Sequence, residues 1–435
     1  MKYLLFLLIL AAGVTVFLSA SWRIEVTVAP TLPAASLDAP EASQAGNQKT
    51  TQATPKITDI ENQKPLADAP EIIKAIYFTG WSAGNSAKIK YLIDLKKTTE
   101  INAVVIDLKD YSGYVGYDIQ VPEVEKYEAK EIKIPFINRL VKQLHDEGIY
   151  VIARITVFQD PRLAKARPDL TVESKKTGGS WLDNKKLAWI DPAAKDAWDY
   201  NIAIAKDAAS RGFDELNFDY IRFPSDGDLE DMGFPFWQKT RTDADLTRTN
   251  AETKSEVIRN FFKYLRQQLP GVKISADLFG LTTINQDDLG IGQIIEDAFE
   301  YFDFVSPMVY PSHYASGFLG YKNPALYPYE VIKYSLDSAI KRLIEYSRPQ
   351  IAVSVSSSTA VSSVTASSTN NQQTFDYPMK SKIRPWLQDF NLGATYDASM
   401  ITKQIQATQD SLGDNFNGWM LWNPSNVYIR EALER

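Results

Sequence analysis

Residues 212–224 read GFDELNFDYIRFP. Glycine opens this stretch and proline closes it, as expected for the boundaries of a strand. Side chains alternate between the two faces of a strand, so Asn217 and Asp219 fall on one face and Leu216 and Phe218 on the other. The stretch therefore predicts a strand over Glu215–Phe223 that carries a carboxylate and an amide on one side.

Seven further runs are β-rich and alternate with segments of helical period. The eight predicted strands are Lys74–Thr79, Ala103–Lys109, Tyr150–Phe158, Glu215–Phe223, Lys273–Phe279, Asp303–Tyr310, Arg384–Phe390 and Gly418–Trp422. Eight β/α units in a body of this size predict an α/β fold of the (β/α)8 TIM-barrel type. A doubly wound open sheet would need a glycine-rich phosphate turn after its first strand, and Gly80–Gly84 (GWSAG) is a poor version of that turn.

Apolar stripes at helical spacing predict the intervening helices. One stripe joins Ile134, Ile137, Leu140, Val141 and Leu144, and another joins Val257, Ile258, Phe261, Phe262 and Leu265. Asp191 followed by Pro192 predicts an N-cap with proline at the first helical position, which would begin the helix before the fourth strand.

Charge and composition exclude several classes of function. The chain carries 47 basic and 54 acidic residues, a net charge of −7, which disfavours nucleic-acid binding. With no cysteine, disulfides, thiolate zinc sites and cysteine nucleophiles are excluded. The two histidines, His145 and His313, are too few for a multi-histidine metal site. We therefore expect chemistry that depends on carboxylates, amines, hydroxyls and aromatic rings, with no metal and no cofactor.

The N-terminal part differs from the rest of the chain. Lys2 precedes an apolar run over residues 3–20, which predicts that residues 1–21 are either a cleaved export signal or a membrane anchor. Residues 22–70 are predicted to be a disordered linker, because few large apolar residues occur there. Residues 71–435 would form the barrel, with a Ser/Thr-rich surface loop over 354–374. Both readings of the first segment predict an extracytoplasmic protein.

Polar and aromatic side chains concentrate near the C-terminal ends of the predicted strands, where TIM barrels carry their active sites. On the inward faces they are Asp107, Lys109, Arg154, Thr156, Asn217, Asp219, Ser275, Asp277, Tyr310, Trp386, Gln388, Trp422 and Asn423. A barrel interior built only for stability should show Val, Ile and Leu there. A buried ion network around Arg154 would explain the charges but not so many polar residues at one end.

The motif FDYIRFP (Phe218–Pro224) resembles the strand-four signature of a family of bacterial glycoside hydrolase-like TIM barrels, which are related to amylase-like and chitinase-like barrels. The resemblance covers nearly all of residues 71–435. Its other motifs are GWSAG (80–84), VIDLKD (105–110), ARITVF (153–158), SADLFG (275–280), SPMVYPSHY (306–314), RPWLQDF (384–390) and GWMLWNPSN (418–426). It implies a TIM barrel that acts on a polysaccharide or oligosaccharide.

The chitinase-like pattern D-x-x-D-x-D-x-E limits the mechanism. Asp214, Asn217 and Asp219 occupy its first three acidic positions, but Ile221 stands where the catalytic Glu would be. A substrate-assisted mechanism that uses that Glu is therefore excluded.

Glycoside hydrolysis requires two carboxyl groups. Asp219 and Asp277 fit by position: we predict Asp219 as nucleophile, stabilised by Arg154 and Lys109, and Asp277 as acid/base. Swapped roles of the two, or Asp107 as the partner, are the alternatives. Neighbouring strands lie ~4.8 Å apart, closer to the spacing of retaining than of inverting enzymes. Arg222 falls on the opposite face from Asp219 unless the strand has ended there, and we interpret it as structural.

Aromatic rings near strand ends suit the apolar faces of sugars. They are Trp81, Tyr111, Tyr114, Tyr310, Tyr314, Trp386 and Trp422. The predicted substrate-binding residues are Trp81, Asp107, Lys109, Arg154, Asn217, Tyr310, His313, Trp386, Gln388, Trp422 and Asn423. Asp110 and Asp389 are expected in loops or at the substrate, and His145 is expected to be structural. The alternatives are a carbohydrate-binding barrel without turnover, and a barrel lyase or metal-dependent hydrolase.

Overall fold

The computed structural model of the chain describes residues 58–237, 252–348 and 381–433. Within these ranges, eight parallel strands form a closed barrel. They are β1 (Ile73–Phe78), β2 (Ala103–Lys109), β3 (Tyr150–Thr156), β4 (Glu215–Asp219), β5 (Ile274–Phe279), β6 (Phe304–Met308), β7 (Trp386–Gln388) and β8 (Gly418–Trp422).

Each barrel strand pairs with the next along the chain, and β8 pairs with β1 to close the ring. Ala75 of β1 aligns with Met420 on one side and with Ala103 on the other. The predicted TIM barrel is confirmed. Strands β3, β4, β6 and β7 are shorter than predicted: β3 ends at Thr156, β4 at Asp219 and β6 at Met308, and β7 covers only Trp386–Gln388.

Helices alternate with the strands in the described chain. They are α1 (Ser86–Thr98), α2 (Ile137–Asp146), α3 (Lys195–Ser210), α4 (Lys254–Gln268), α5 (Ile295–Tyr301), α6 (Pro328–Ser347) and α7 (Ala398–Leu412). Shorter elements are the strands Val115–Tyr117, Lys130–Ile134, Glu173–Ser174, Met232–Gly233 and Lys382–Ile383 and the helices Gly80–Ala83, Pro122–Lys126 and Pro161–Ala166. The residues of both predicted stripes are buried. Ile134, however, lies in the short strand Lys130–Ile134 and not in α2.

The prediction that Asp191 caps the helix before β4 is wrong. Helix α3 begins four residues later, at Lys195. The Asp191 carboxylate instead accepts hydrogen bonds from the backbone N–H groups of Ala193 (3.0 Å), Phe236 (2.8 Å) and Trp237 (3.1 Å). It joins the chain before α3 to the loop after β4, and this long-range contact has no signal in the local sequence.

The barrel interior holds both apolar and polar side chains. One cluster consists of Ile73, Ala75, Tyr77, Ala103, Val105, Tyr150, Ile152, Tyr310, Trp386 and Met420. Toward the C-terminal ends of the strands lie the buried polar side chains Asp107, Arg154, Asn217, Asp219 and Asp277. A larger apolar cluster fills the space between the sheet and the helices. The buried polar group around Arg154 therefore lies at the end where TIM barrels carry their sites, while a second buried ion pair, Arg384 with Glu215, lies near the N-terminal ends of the strands.

Residues 58–70 contact the barrel, so the prediction that the disordered linker extends to residue 70 is wrong for this stretch. Helix α2 has no side-chain cap of its own, and Asp59 accepts from the N–H of Asn138 at 2.8 Å. The N–H of Leu66 donates to Asp214 at 2.6 Å. A distant acidic residue thus stabilises the N-terminus of α2, where backbone N–H groups lack partners.

The predictions for residues 1–21, 22–57 and 354–374 lie outside the described residues. Across 58–237, 252–348 and 381–433, no helix combines the length and the apolar character needed to cross a membrane.

Candidate active site

A cavity of about 350 Å³ opens at the C-terminal ends of β4, β5 and β6. Its lining residues come from the strand ends and the loops that follow them. They are Asp219, Tyr220, Arg222, Phe279, Gly280, Leu281, Met308, Tyr310, His313 and Tyr314. Three predicted site residues, Asp219, Tyr310 and His313, therefore share one cavity.

Asp219 owes its position to an abrupt end of β4. The next residue, Tyr220, adopts a left-handed backbone conformation with φ 53°, which costs a non-glycine residue about 1–3 kcal/mol. This turn directs the N–H of Tyr220 to Oδ1 of Asp219 at 2.6 Å. Arg154 donates to the other oxygen, Oδ2. Both carboxylate oxygens of Asp219 are thus held by a donor, at the wall of the cavity.

Arg154 lies at the centre of the polar layer. Its Nη1 is 2.5 Å from Oδ1 of Asp107, its Nη2 binds Asp219, and its Nε is 3.7 Å from Oδ2 of Asp277. Burial opposes the charge of this guanidinium, yet Asp107 and Asp219 raise the pKa of Arg154 well above its usual value. Arg154 is therefore a permanent cation that connects three carboxyl groups.

Asp107 is held from the side away from Arg154. The Tyr77 hydroxyl donates to Oδ2 of Asp107 at 2.5 Å. Burial raises the pKa of Asp107, against the opposing effect of Arg154. Asp107, the alternative partner in the sequence-based prediction, does not line the cavity and is bound to Arg154.

Asp277 lies beneath the cavity and is 1 % exposed. Its Oδ1 accepts hydrogen bonds from Asn217 Nδ2 and Trp386 Nε1, each at 2.8 Å. Burial, and next the charge of Asp219, raise the pKa of Asp277 well above its usual value. The other oxygen, Oδ2, lies 3.7 Å from Arg154 Nε. The two carboxyl groups therefore differ in environment: Asp219 is bound by Arg154, whereas burial and the charge of Asp219 favour the neutral form of Asp277.

Aromatic rings surround this group. Trp422 stacks on Tyr77 with ring centroids 3.9 Å apart, and the Arg154 guanidinium lies 5.1 Å from the centroid of Trp422. Tyr310 packs edge-on against His313, with the two ring centroids 5.2 Å apart. Burial, and then the charge of Asp277, raise the pKa of the Tyr310 hydroxyl well above its usual value. Tyr310 thus enters the site as a neutral phenol that can donate a hydrogen bond.

Lys109 does not share the inward face with Asp107, and that prediction is wrong. An irregularity in the pairing of β2 with β3 falls between Asp107 and Lys109 and reverses the alternation. Lys109 is fully buried toward α3, where its Nζ lies 2.8 Å from Asp160 and 3.1 Å from Asn201. Its charge is thus neutralised by Asp160 on the outer side of the sheet, away from Asp219.

Trp386, Gln388 and Asn423 are placed around the site rather than in the cavity wall. Trp386 is 1 % exposed and binds Asp277, while Gln388 is fully buried and accepts from the N–H of Ser312 at 3.2 Å. The Asn423 amide donates to the carbonyl of Val427 at 2.6 Å within the loop after β8. Each of these three side chains thus forms a hydrogen bond within the protein, and these bonds help to position the strand ends.

The exposed aromatic residues lie outside the cavity wall. Trp81 is 60 % exposed in the loop after β1, and Tyr111 is 55 % exposed after β2. Arg162 stacks on Tyr114 at 4.7 Å from its ring centroid. Tyr314 lines the cavity, but its hydroxyl pairs with Ser335 at 2.8 Å.

Of the remaining acidic and histidine positions, Asp110 and His145 pair with other side chains and Asp389 is buried. Asp110 pairs with Lys133 at 2.6 Å, and burial raises the pKa of Asp389 to about 7. His145 lies 3.0 Å from Asp214, which precedes β4 and so sits at the opposite end of the barrel from Asp219. Within the described ranges, no group of three or more His, Cys, Asp or Glu side chains is arranged to hold a metal ion.

Several residues of the cavity and of the polar group beside it were not identified from the sequence. Tyr77, which holds Asp107, could have been found because it shares the inward face of β1 with Ala75. Phe279, Leu281 and Met308 carry no local signal, since apolar residues at strand ends are common. Arg222 was interpreted as structural because strand alternation was extended past Asp219, where the strand in fact ends.

Comparisons with known proteins agree with this architecture. A sequence family described as "Putative glycosyl hydrolase domain" matches residues 75–354 and 344–428. A hypothetical protein from Ruminiclostridium thermocellum of known structure is 41 % identical over 49 % of this chain and 98 % of its own, with a TM-score of 0.41. No curated protein matches the chain.

Two glycoside hydrolase structures are similar in fold. The PgaB (BpsB) glycoside hydrolase domain from Bordetella bronchiseptica is 14 % identical, with a TM-score of 0.54, over 83 % of this chain and 99 % of its own. Alpha-L-fucosidase isoenzyme 2 from Paenibacillus thiaminolyticus is 12 % identical, with a TM-score of 0.50, over 83 % of this chain and 48 % of its own. At these identities the likeness concerns the barrel alone.

Proposed function

Because the chain belongs to the glycosyl hydrolase domain family that matches residues 75–428, we propose that it is an exported glycoside hydrolase that cleaves a cell-surface or extracellular polysaccharide with Asp219 and Asp277. The observation that carries the proposal is the environment of these two carboxyl groups. Asp219 lines the cavity and is bound by Arg154, whereas burial and the charge of Asp219 raise the pKa of Asp277. Glycoside hydrolysis requires one carboxylate and one carboxylic acid.

In the first step, an oxygen of Asp219 attacks the anomeric carbon of the bound sugar. The bond to the leaving oxygen breaks, and that oxygen takes the proton of Asp277. In the second step, Asp277, now a carboxylate, removes a proton from water, whose oxygen attacks the same carbon and releases Asp219. Arg154 stays charged throughout and stabilises Asp219 as the anion in both the free enzyme and the product state.

The ring of Tyr310 supports binding of a sugar, because aromatic faces suit its apolar C–H surface. Tyr310 lines the same cavity as Asp219. The neutral Tyr310 hydroxyl and the His313 ring supply hydrogen bonds for orientation. In this proposal, side chains at the C-terminal ends of β4, β5 and β6 therefore bind the substrate.

Export is proposed from the N-terminal sequence. Lys2 followed by the apolar residues 3–20 has the pattern of an export signal. We expect the protein in the extracytoplasmic fraction of its host. N-terminal sequencing of the isolated protein tests this: a start after residue 21 indicates cleavage, an intact Met1 in the membrane fraction indicates an anchor, and recovery from the cytoplasm contradicts export.

A carbohydrate-binding barrel without turnover is the second candidate. The observation that favours it is the burial of Asp277, which is 1 % exposed and absent from the cavity wall. In that case Asp277 would only hold Asn217 and Trp386 in place.

Release of reducing ends from a panel of polysaccharides separates the two candidates. We expect the purified protein to release reducing ends from at least one glycan, and the Asp219→Asn and Asp277→Asn variants to be at least 100-fold slower. A matched control is Asp389→Asn, a buried carboxyl group outside the cavity, which should remain active. Glycan binding without hydrolysis by the wild-type protein would favour the binding barrel and contradict the enzyme.

A further inference from the structure

One cation at the cavity lacks a carboxylate partner. Arg222 lines the same cavity as Asp219 and is 7 % exposed. Its Nη1 donates to the carbonyl of Phe223 at 3.0 Å and to the Ser225 hydroxyl at 3.1 Å. Nε and Nη2 donate to no group of the described residues, and no carboxylate there lies within 4.0 Å. Two donor groups of a buried guanidinium therefore remain free at a cavity.

The other buried arginines of the described chain are paired. Arg154 binds Asp107 and Asp219, Arg211 lies 2.6 Å from Asp207, and Arg384 binds Glu215. Burying a cation without a counter-charge is costly. Burial accordingly lowers the pKa of Arg222. This arginine is thus the exception to a consistent pattern, and it is the one that faces the cavity.

Aromatic rings hold the Arg222 guanidinium in place. Its carbon lies 4.5 Å from the ring centroid of Phe279, 4.8 Å from that of Trp189 and 5.5 Å from that of Tyr220. The left-handed turn at Tyr220 ends β4 and brings Arg222 to the same cavity as Asp219. The Arg222 guanidinium is therefore held in a fixed position, although it pairs with no carboxylate of the described residues.

We propose that Arg222 binds an anionic group of the substrate, so that the protein acts on a glycan that contains acidic sugars. The proposal rests on the proposed function, which makes a sugar the ligand of this cavity. A planar guanidinium suits an oxyanion, because its parallel N–H groups donate to two oxygens. Asp219 does not fill this role, since Arg154 already binds its Oδ2. The acidic sugar would then lie at or beside the cleaved bond.

Equilibrium binding of simple sugars to the full-length protein tests the proposal. The probes are glucuronate and galacturonate against glucose and galactose, with glucose 6-sulfate to distinguish a sulfate ester from a carboxylate. We expect the preferred acidic sugar to bind about tenfold more tightly than its neutral counterpart, the effect of one charge-assisted hydrogen bond. Arg222→Gln should remove this preference and Arg222→Lys should retain part of it.

Arg259→Gln is the matched control, because Arg259 is a charged arginine on α4 outside the cavity. Its variant should keep the preference. Preference for glucose 6-sulfate over both uronates would support the proposal and assign the anion to a sulfate ester. Equal binding of acidic and neutral sugars by the wild-type protein, a preference that survives Arg222→Gln, or no binding of any probe would overturn it. The wild-type comparison is decisive even if Arg222→Gln does not fold.

Failure of this inference is distinguishable from failure of the proposed function. Hydrolysis of an acidic glycan at the wild-type rate by Arg222→Gln would refute the anionic subsite and leave the hydrolase intact. Selective binding of an acidic sugar with no hydrolysis of any glycan would refute the hydrolase and leave the subsite intact.

Discussion

At the scale of single residues, the two carboxyl groups of the site differ in what surrounds them. Asp219 accepts hydrogen bonds from the Arg154 guanidinium and from the backbone N–H of Tyr220. Asp277 meets two weaker, neutral donors and a neighbouring negative charge, and burial raises its pKa. In the proposed mechanism, the division of roles between nucleophile and acid would follow from these partners, since both residues are aspartates.

Replacement of the acid should separate catalysis from stability. Asparagine at position 277 mimics the neutral acid, because its carbonyl can accept from Asn217 and Trp386. We expect Asp277→Asn to lower turnover about 10²–10⁴-fold and to leave the melting temperature at pH 7 unchanged or slightly higher. Asp219→Asn, which breaks an ion pair with Arg154, should lower the melting temperature more. A large loss of stability in Asp277→Asn would instead indicate an ionised Asp277 with a structural role.

The raised pKa of Asp277 also predicts how stability depends on pH. In the unfolded chain this carboxyl group titrates near its ordinary value of about 3.9, and in the folded protein it holds its proton to a higher pH. The folded state therefore loses stability as the pH rises from about 4 toward the folded-state pKa. Urea unfolding at a series of pH values should show this decline in the wild-type protein, and Asp277→Asn should show a smaller one.

Alternation within a strand predicted the inward positions of Asp107, Arg154, Asn217, Asp219 and Asp277. It fails at two residues for identifiable reasons. The irregularity in β2 turns Lys109 outward, and the left-handed Tyr220 brings Arg222 to the cavity. Neither can be read from the sequence, because any residue pattern is compatible with a bulge, and a tyrosine rarely adopts positive φ.

At the scale of secondary-structure elements, the loop after β1 depends on close backbone contact. Thr79 caps the short helix Gly80–Ala83 by accepting from the N–H of Ser82 at 3.1 Å. A Cβ atom on Gly84 would lie 1.8 Å from the carbonyl oxygen of Lys133. The glycine therefore lets this loop pack on the short strand Lys130–Ile134, and the GWSAG sequence serves packing rather than phosphate binding in this structure.

Gly84→Ala should separate the loop from that strand. We expect a loss of about 1–3 kcal/mol in the free energy of unfolding, as for other overpacked positions. The control is Gly179→Ala, whose nearest neighbouring atom is 3.8 Å from the added carbon. It should change stability by less than about 0.5 kcal/mol. Equal stability of the two variants, measured by chemical denaturation, would contradict the close contact.

Long periodic elements were the most predictable. The stripes of α2 and α4 and the presence of all eight strands follow from the residue pattern. The ends of β4 and β7 and the start of α3 could not be predicted, because tertiary contacts of Asp219, Gln388 and Asp191 determine them.

At the scale of the whole molecule, the boundary of the folded body matters. Residues 58–70 cap α2 through Asp59 and bind Asp214 through the N–H of Leu66. A chain that starts at residue 71 would leave the Asn138 N–H and one Asp214 oxygen without these partners. We expect it to unfold at a melting temperature several degrees below that of a chain starting at residue 57, which a thermal scan of the two would measure.

The matched variant Asp59→Ala, in the longer chain, should reproduce part of that loss by removing the cap of α2, since such caps contribute about 0.5–2 kcal/mol. Identical melting temperatures for the chains starting at 57 and 71 would show that residues 58–70 do not stabilise the barrel.

The central claim is that Asp219 forms a bond to the sugar. Its most direct measurement uses Asp219→Ala and an aryl glycoside with a good leaving group, of the sugar type that the polysaccharide panel identifies, with and without sodium azide. Azide should occupy the space left by the carboxylate and restore part of the activity, and NMR should detect a glycosyl azide of the anomeric configuration opposite to that of the substrate. Hydrolysis by Asp219→Ala at the wild-type rate without azide would contradict the account.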